Sequence, residues 1–189
     1  MTVQCLPAKL HNTPQQITDA VRAKIRAGRG EFERIFVLYG DCGTGGALDD
    51  MLAEEGVERI AGAHCYEFFA GTEDFAELSE ADPCSFYLTD FLARHFERLV
   101  IQGLGIDRYP ELLPVYFGNY KRLVYLAQFE QPERLAQARA AAARLGLAFE
   151  YRFTGYGGLA PALARASGGS GAAADSLRRM PLAAAAPGD

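Results

Sequence analysis

A chain of 189 residues is about one domain long and can bury a full core unaided, so its four cysteines are not required as a disulfide framework. Its 49% hydrophobic and 23% charged residues are those of an ordinary soluble protein, and no apolar run reaches the roughly 18 residues that would suggest a membrane span. A net charge of −5 and a pI near 5.3, without a basic patch interleaved with aromatics, argue against nucleic acid as a partner.

The N-terminus carries no basic segment followed by an apolar stretch of the export type, so a cytoplasmic, reducing location is expected. There cysteines serve as ligands, nucleophiles or buried apolar groups. Thr2 to Leu6 reads as a first strand ending at Cys5. Thr13, Pro14 and Gln16 then form a helix start, with Thr13 as N-cap. Ile17, Val21 and Ile25 give the helical spacing, and Gly28 with Gly30 ends it.

Arg34 to Tyr39 is an apolar run of the kind buried on both faces of a sheet. It passes through Gly40-Asp41-Cys42-Gly43-Thr44-Gly45-Gly46 into a helix that ends at Gly56. A short strand over Val57 to Ile60 leads to His64 and Cys65. The pattern then predicts a helix near Thr72 to Ser79, a strand at Ser85 to Leu88 and a helix from Asp90 to about Glu97. It adds strands at Leu99 to Gln102 and Arg122 to Ala127, an alanine-rich helix over Glu133 to Leu145, and a last strand at Ala148 to Phe153.

Alternation at these spacings predicts one α/β domain over residues 1–165: a doubly wound, mainly parallel sheet with helices on both faces, Rossmann- or flavodoxin-like. Residues 166–189 are rich in Gly, Ala, Ser and Pro and are expected to form a disordered tail.

Cys5, Cys42 and Cys65 each stand where a predicted strand runs out. In a parallel sheet such ends lie along one edge, where residues far apart in sequence meet. Thiolate and imidazole are the ligands that suit zinc and iron–sulfur centres, and His11 or His64 completes or opens the set. The spacing is not a Cys-x-x-Cys hook, so buried apolar cysteines are the plain alternative. The glycines favour the site: they place Cys42 before a helix N-terminus, where a thiolate is stabilised. Gly43, Thr44 and Gly45 offer backbone groups to a bound cofactor or phosphate, although the lysine of a nucleotide-binding P-loop is missing.

Asp41 and Glu67 are candidate acceptors or acid/base groups. His95 reads as packed on a helix face, and Cys84 as outside the site. Phe117 to Tyr120 and Thr154 to Gly157 read either as pocket lining or as aromatics covering the core.

Several of these segments, Leu10-His11-Asn12-Thr13-Pro14, Tyr39 to Gly46, Ala63 to Gly71, Phe86 to Leu99 and Tyr116 to Gln128, together resemble the bacterial and archaeal domain of unknown function 1638. The resemblance covers about residues 1–160. It implies genomic neighbourhoods beside corrinoid-dependent methyltransferases acting on methylamines, and hence a role in one-carbon metabolism with a corrinoid or a methyltransferase subunit as partner. It also implies recurring positions at Cys5, His11, Cys42, His64 and Cys65, with Cys84 particular to this chain. The family's Cys-Gly pair at the first position is replaced here by Cys5-Leu6-Pro7.

Three functional readings follow. The first is a metalloprotein of corrinoid-dependent methyl metabolism holding zinc or an iron–sulfur cluster at Cys42, Cys65 and Cys5 with His64 or His11. The second is a non-catalytic module binding a corrinoid, nucleotide or phosphate, or docking a methyltransferase subunit. The third is a metal-free enzyme with Cys42 as nucleophile and His64 or His11 as base.

Overall fold

The computed structural model describes residues 2–166. In chain order, 3₁₀ turns over Ala8–Asn12 and Pro14–Gln16 lead into α1 (Ile17–Gly28), β1 (Phe36–Val37), α2 (Ala47–Glu55) and β2 (Glu58–Arg59). Next come α3 (Cys65–Ala70), α4 (Thr72–Ala81), β3 (Ser85–Thr89), α5 (Asp90–Arg94) and a π-helical stretch over Glu97–Gln102. The chain continues through α6 (Leu112–Phe117), β4 (Arg122–Ala127), α7 (Pro132–Leu145), β5 (Ala148–Phe153) and α8 (Leu159–Ala166).

These elements form an α/β architecture of the Rossmann or flavodoxin kind, with every strand pair parallel. The strands are divided between two compact units, residues 2–65 with 159–166, and Tyr66–Gly158.

In the first unit β1 pairs with β2 in the register Phe36↔Glu58 and Val37↔Arg59. The Ile60 N–H extends the ladder to the Val37 carbonyl at 3.0 Å. Helix α1 buries Ile17, Val21 and Ile25, spaced by four, against Leu48, Met51 and Leu52 of α2. Gly56 ends α2 in the left-handed conformation at φ 63°, which only glycine adopts without strain. Arg26 and Arg29 of the α1 end both pair with Glu55 of α2, at 2.9 and 3.0 Å.

In the second unit β4 lies between β3 and β5, with Leu123 to Ala127 all buried. Leu88, Leu123, Tyr125 and Ala127 pack on one face with Ala138, Ala141 and Leu145 of α7. Tyr87, Val124 and Leu126 pack on the other with Ala70 and Phe75. A sheet covered on both faces explains why β4 reads as a continuous apolar run.

Four expectations change. Thr2 to Leu6 forms no strand, and Thr2 to Cys5 are exposed. Thr13 makes no capping hydrogen bond, and Pro14 opens a 3₁₀ turn instead of the α-helix. Leu99 to Gln102 is helical: Val100 and Ile101 are buried in the core beside Phe96, and the Leu104 N–H bonds to the Val100 carbonyl at 3.1 Å. The three apolar residues Leu99 to Ile101 fit a buried strand and a buried helical turn equally well. Helices α3, α6 and α8 were not expected. Ala166 closes α8, and residues 167–189, where the tail is expected, lie outside the described residues.

Candidate metal centre

The site grows from the ends of β1 and β2. Beyond β1 the chain turns at Gly40, where a Cβ would lie 3.1 Å from the His64 carbonyl carbon, 3.2 Å from Cys42 Sγ and 3.2 Å from the Cys65 nitrogen. Only glycine lets the two loops close to this distance without displacing backbone. They are tied together by the Asp41 N–H to the Gly62 carbonyl at 3.4 Å and the Cys42 N–H to the Ala63 carbonyl at 2.9 Å.

Cys42 itself has φ 47°, the one non-glycine residue in the left-handed region among the described residues. A side chain held there costs of order 1–3 kcal/mol and persists where its surroundings over-determine it.

The second loop is braced from behind. Arg59 is paired with Asp49 of α2 at 2.5 and 2.8 Å, and its Nη1 donates to the carbonyls of Ile60 at 2.8 Å and Gly62 at 3.0 Å. That guanidinium shapes the turn that delivers Cys65, the first residue of α3. The third participant arrives from the N-terminal 3₁₀ turn. His11 Nδ1 lies 3.1 Å from the Ala8 carbonyl, which can only accept, so Nδ1 carries the proton and Nε2 the lone pair. The imidazole ring also lies against Tyr39, with centroids 5.9 Å apart.

As a result His11, Cys42 and Cys65 each offer one ligand atom, and the three atoms lie within 4.8 Å of one another. Both cysteines are half-buried and His11 is exposed, so the group opens to solvent on the imidazole side. The electrostatics match. The thiol and backbone N–H of Cys65 both hydrogen-bond to Cys42, and the thiol bond above all draws the Cys42 thiol down to about 7 against the opposing effect of burial. Burial first, then the neighbouring Cys42 and Cys65 sulfurs, pushes the Tyr39 phenol up to about 12.

Other expected participants stand elsewhere. Cys5 is exposed in the N-terminal segment and His64 is exposed beside Cys65; neither belongs to the group. In the glycine loop, the Asp41 carboxylate accepts from Thr44 Oγ1, from the Gly45 N–H at 3.1 Å and from the Gly46 N–H at 3.0 Å. Those bonds, the one from Thr44 foremost, hold Asp41 below the usual carboxylate range. Asp41 therefore shapes the loop from within. Glu67 lies on α3, half-buried.

In the second unit, His95 packs against Phe91 at 4.8 Å with Nε2 buried, and burial lowers its basicity. Cys84 sits at the entry of β3, its N–H on the Asp82 carboxylate at 3.0 Å. Phe117 is core, edge-on to Phe86 at 5.2 Å, with Tyr120 alongside. At Gly157 a Cβ would lie 2.0 Å from the Phe69 carbonyl oxygen, so Thr154 to Gly157 is a packed turn.

Tyr39, Gly40 and Arg59 were not singled out by sequence reasoning. The first two were visible only as the strand end that precedes Cys42, and nothing marks the Arg59 contacts before the fold is known. No curated protein and no solved structure matches the chain. One family model matches residues 5–163, a span that contains His11, Cys42 and Cys65, and the chain belongs to the family described as protein of unknown function (DUF1638).

Proposed function

We propose that this protein binds a zinc ion through His11, Cys42 and Cys65, with a fourth position left for an exchangeable ligand. The supporting observation is the convergence of those three ligand atoms to within 4.8 Å. Zinc bonds of about 2.3 Å to sulfur and 2.0–2.1 Å to nitrogen put tetrahedral neighbours roughly 3.5–3.8 Å apart. Small side-chain rotations bring the three atoms to that spacing.

Two sulfurs and one imidazole fall short of the four-cysteine set typical of iron–sulfur clusters, which favours zinc. Three protein ligands with an open position are the pattern of a catalytic zinc, and bound zinc supplies Lewis acidity that activates a thiol or polarises a substrate oxygen. This chain's own residues supply the rest. Cys65 favours the thiolate form of Cys42, the Ala8 carbonyl fixes the His11 tautomer, and the Tyr39 ring orients the imidazole.

The place in corrinoid-dependent methyl metabolism remains part of the proposal and rests on the genomic neighbourhood that the family implies. A module that cradles a phosphate or nucleotide on Gly43, Thr44 and Gly45 is less supported, because Asp41 already takes the Thr44 hydroxyl and the Gly45 N–H. A metal-free enzyme with Cys42 as nucleophile draws support from the thiol near 7 and His11 close by.

Elemental analysis and zinc titration of protein purified without chelator decide between these readings. About one zinc per chain, lost in Cys42→Ala and in Cys65→Ala but retained in Cys5→Ser, is expected. Full zinc content in Cys42→Ala overturns the assignment, and rapid iodoacetamide labelling of Cys42 without any zinc uptake transfers it to the nucleophile.

A further inference from the structure

Cys42 and Cys65 bring their sulfurs to within 4.8 Å of each other, near enough for a chemistry besides ligation. The Cys65 thiol donates a hydrogen bond to Cys42 Sγ, and the Cys65 backbone N–H points to the same sulfur. The two sulfurs are thus neighbours, and neither is in a disulfide. The loops that carry them are clamped by the Cys42 N–H to Ala63 bond at 2.9 Å and by the close approach at Gly40, so each cysteine has the other as its immediate sulfur partner. Neither is sealed from solvent, and the exposed His11 marks the open side.

We propose that Cys42 and Cys65 form a reversible intramolecular disulfide under a peroxide oxidant, and that this bond empties the metal centre by consuming two of its three ligands. The second half rests on the zinc reading given above; the first does not. Chemically, the Cys42 sulfur attacks hydrogen peroxide, the O–O bond breaks, a sulfenic acid forms, and the departing hydroxide takes up the proton that Cys42 gives up, leaving as water. The Cys65 sulfur then attacks the sulfenic sulfur, forming the S–S bond and breaking the S–O bond. The Cys65 proton and the departing hydroxyl leave as water. Two thiols are oxidised by two electrons, and one peroxide is reduced to two waters. A dithiol reverses the step by thiol–disulfide exchange. Bound zinc and the disulfide use the same sulfurs, so each state excludes the other.

The test uses the full chain carrying Cys5→Ser and Cys84→Ser, which leaves Cys42 and Cys65 as its only thiols, beside the unaltered protein. Both are treated with equimolar hydrogen peroxide, metal-free and after zinc loading. Thiols are counted, released zinc is followed with a colorimetric chelator, and digested peptides are weighed. The expected result is loss of both thiols, a peptide pair joining Cys42 to Cys65 that is lighter by two hydrogens, zinc release in step with thiol loss, and recovery with dithiothreitol. Two surviving thiols, a product that stops at sulfinic acid on Cys42, or bridges only between chains overturns the disulfide. If the reduced protein takes up no zinc, the zinc reading and the release step fall, while the disulfide is judged on the thiol count alone.

Discussion

Cys42 carries the sharpest consequence at the scale of single residues. Its folded-state thiol titrates at about 7 and its ordinary value is 9.0, so folding favours the thiolate. The linked stability is fully present above the unfolded value and is lost as pH falls through about 7. In metal-free protein the iodoacetamide reaction at Cys42 is therefore expected to reach half its plateau rate near pH 7; a half-point near 9 would contradict the Cys65 contact.

Gly40 is the second such position. Gly40→Ala places a methyl group 3.1–3.2 Å from the His64 backbone, Cys42 Sγ and the Cys65 nitrogen. We expect it to cost about 1–3 kcal/mol in denaturant melts and to weaken zinc binding about tenfold or more. Unchanged affinity would mean that the two loops adjust independently. His11, Cys42 and Cys65 were visible in the sequence as ligand types, Cys42 and Cys65 as residues that follow predicted strands and His11 as a loop residue before the first helix. What separates them from Cys5 and His64 was not. His64 and Cys65 are adjacent, yet only Cys65 belongs to the group, and Cys5 depended on a strand that does not form.

Among the elements, strands β4 and β5 match their expected bounds because each apolar or alternating run ends at a turn. The run at Leu99 to Gln102 misled because its three apolar residues suit a helical turn equally well. The junction of β3 with α5 holds a device that no motif announces. Asp90 is fully buried, and its carboxylate accepts from the Tyr125 hydroxyl, from the Gln128 N–H at 3.2 Å and from the Phe129 N–H at 3.1 Å. In return, Gln128 Oε1 accepts from the Asp90 N–H at 2.9 Å. Desolvation raises the Asp90 carboxyl, opposed chiefly by the Tyr125 bond. This network locks the end of β3 to the end of β4. Asp90→Ala strands three donors and is expected to cost about 3 kcal/mol or more, against about 1–2 kcal/mol for Tyr125→Phe. Equal costs for the two, measured by chemical denaturation, would show that the backbone donors find other partners.

For the whole molecule, the two-unit organisation confines all three grouped ligands to the first unit. Zinc at about 100 times its dissociation constant stabilises the state that binds it by about 2.7 kcal/mol. Calorimetry with and without zinc is expected to raise the transition of the first unit and leave that of the Tyr66–Gly158 unit in place. A uniform rise of a single transition would show that the units unfold together.

The first unit is also discontinuous, since α8 at Leu159–Ala166 is grouped with residues 1–65. A ribosome makes the chain from its N-terminus, and domains tend to fold in the order they emerge. The ligand-bearing loops leave the ribosome early, but the helix that completes their unit comes only after the whole of the second unit. During synthesis, the sulfurs of a half-built site wait until the second unit has been made.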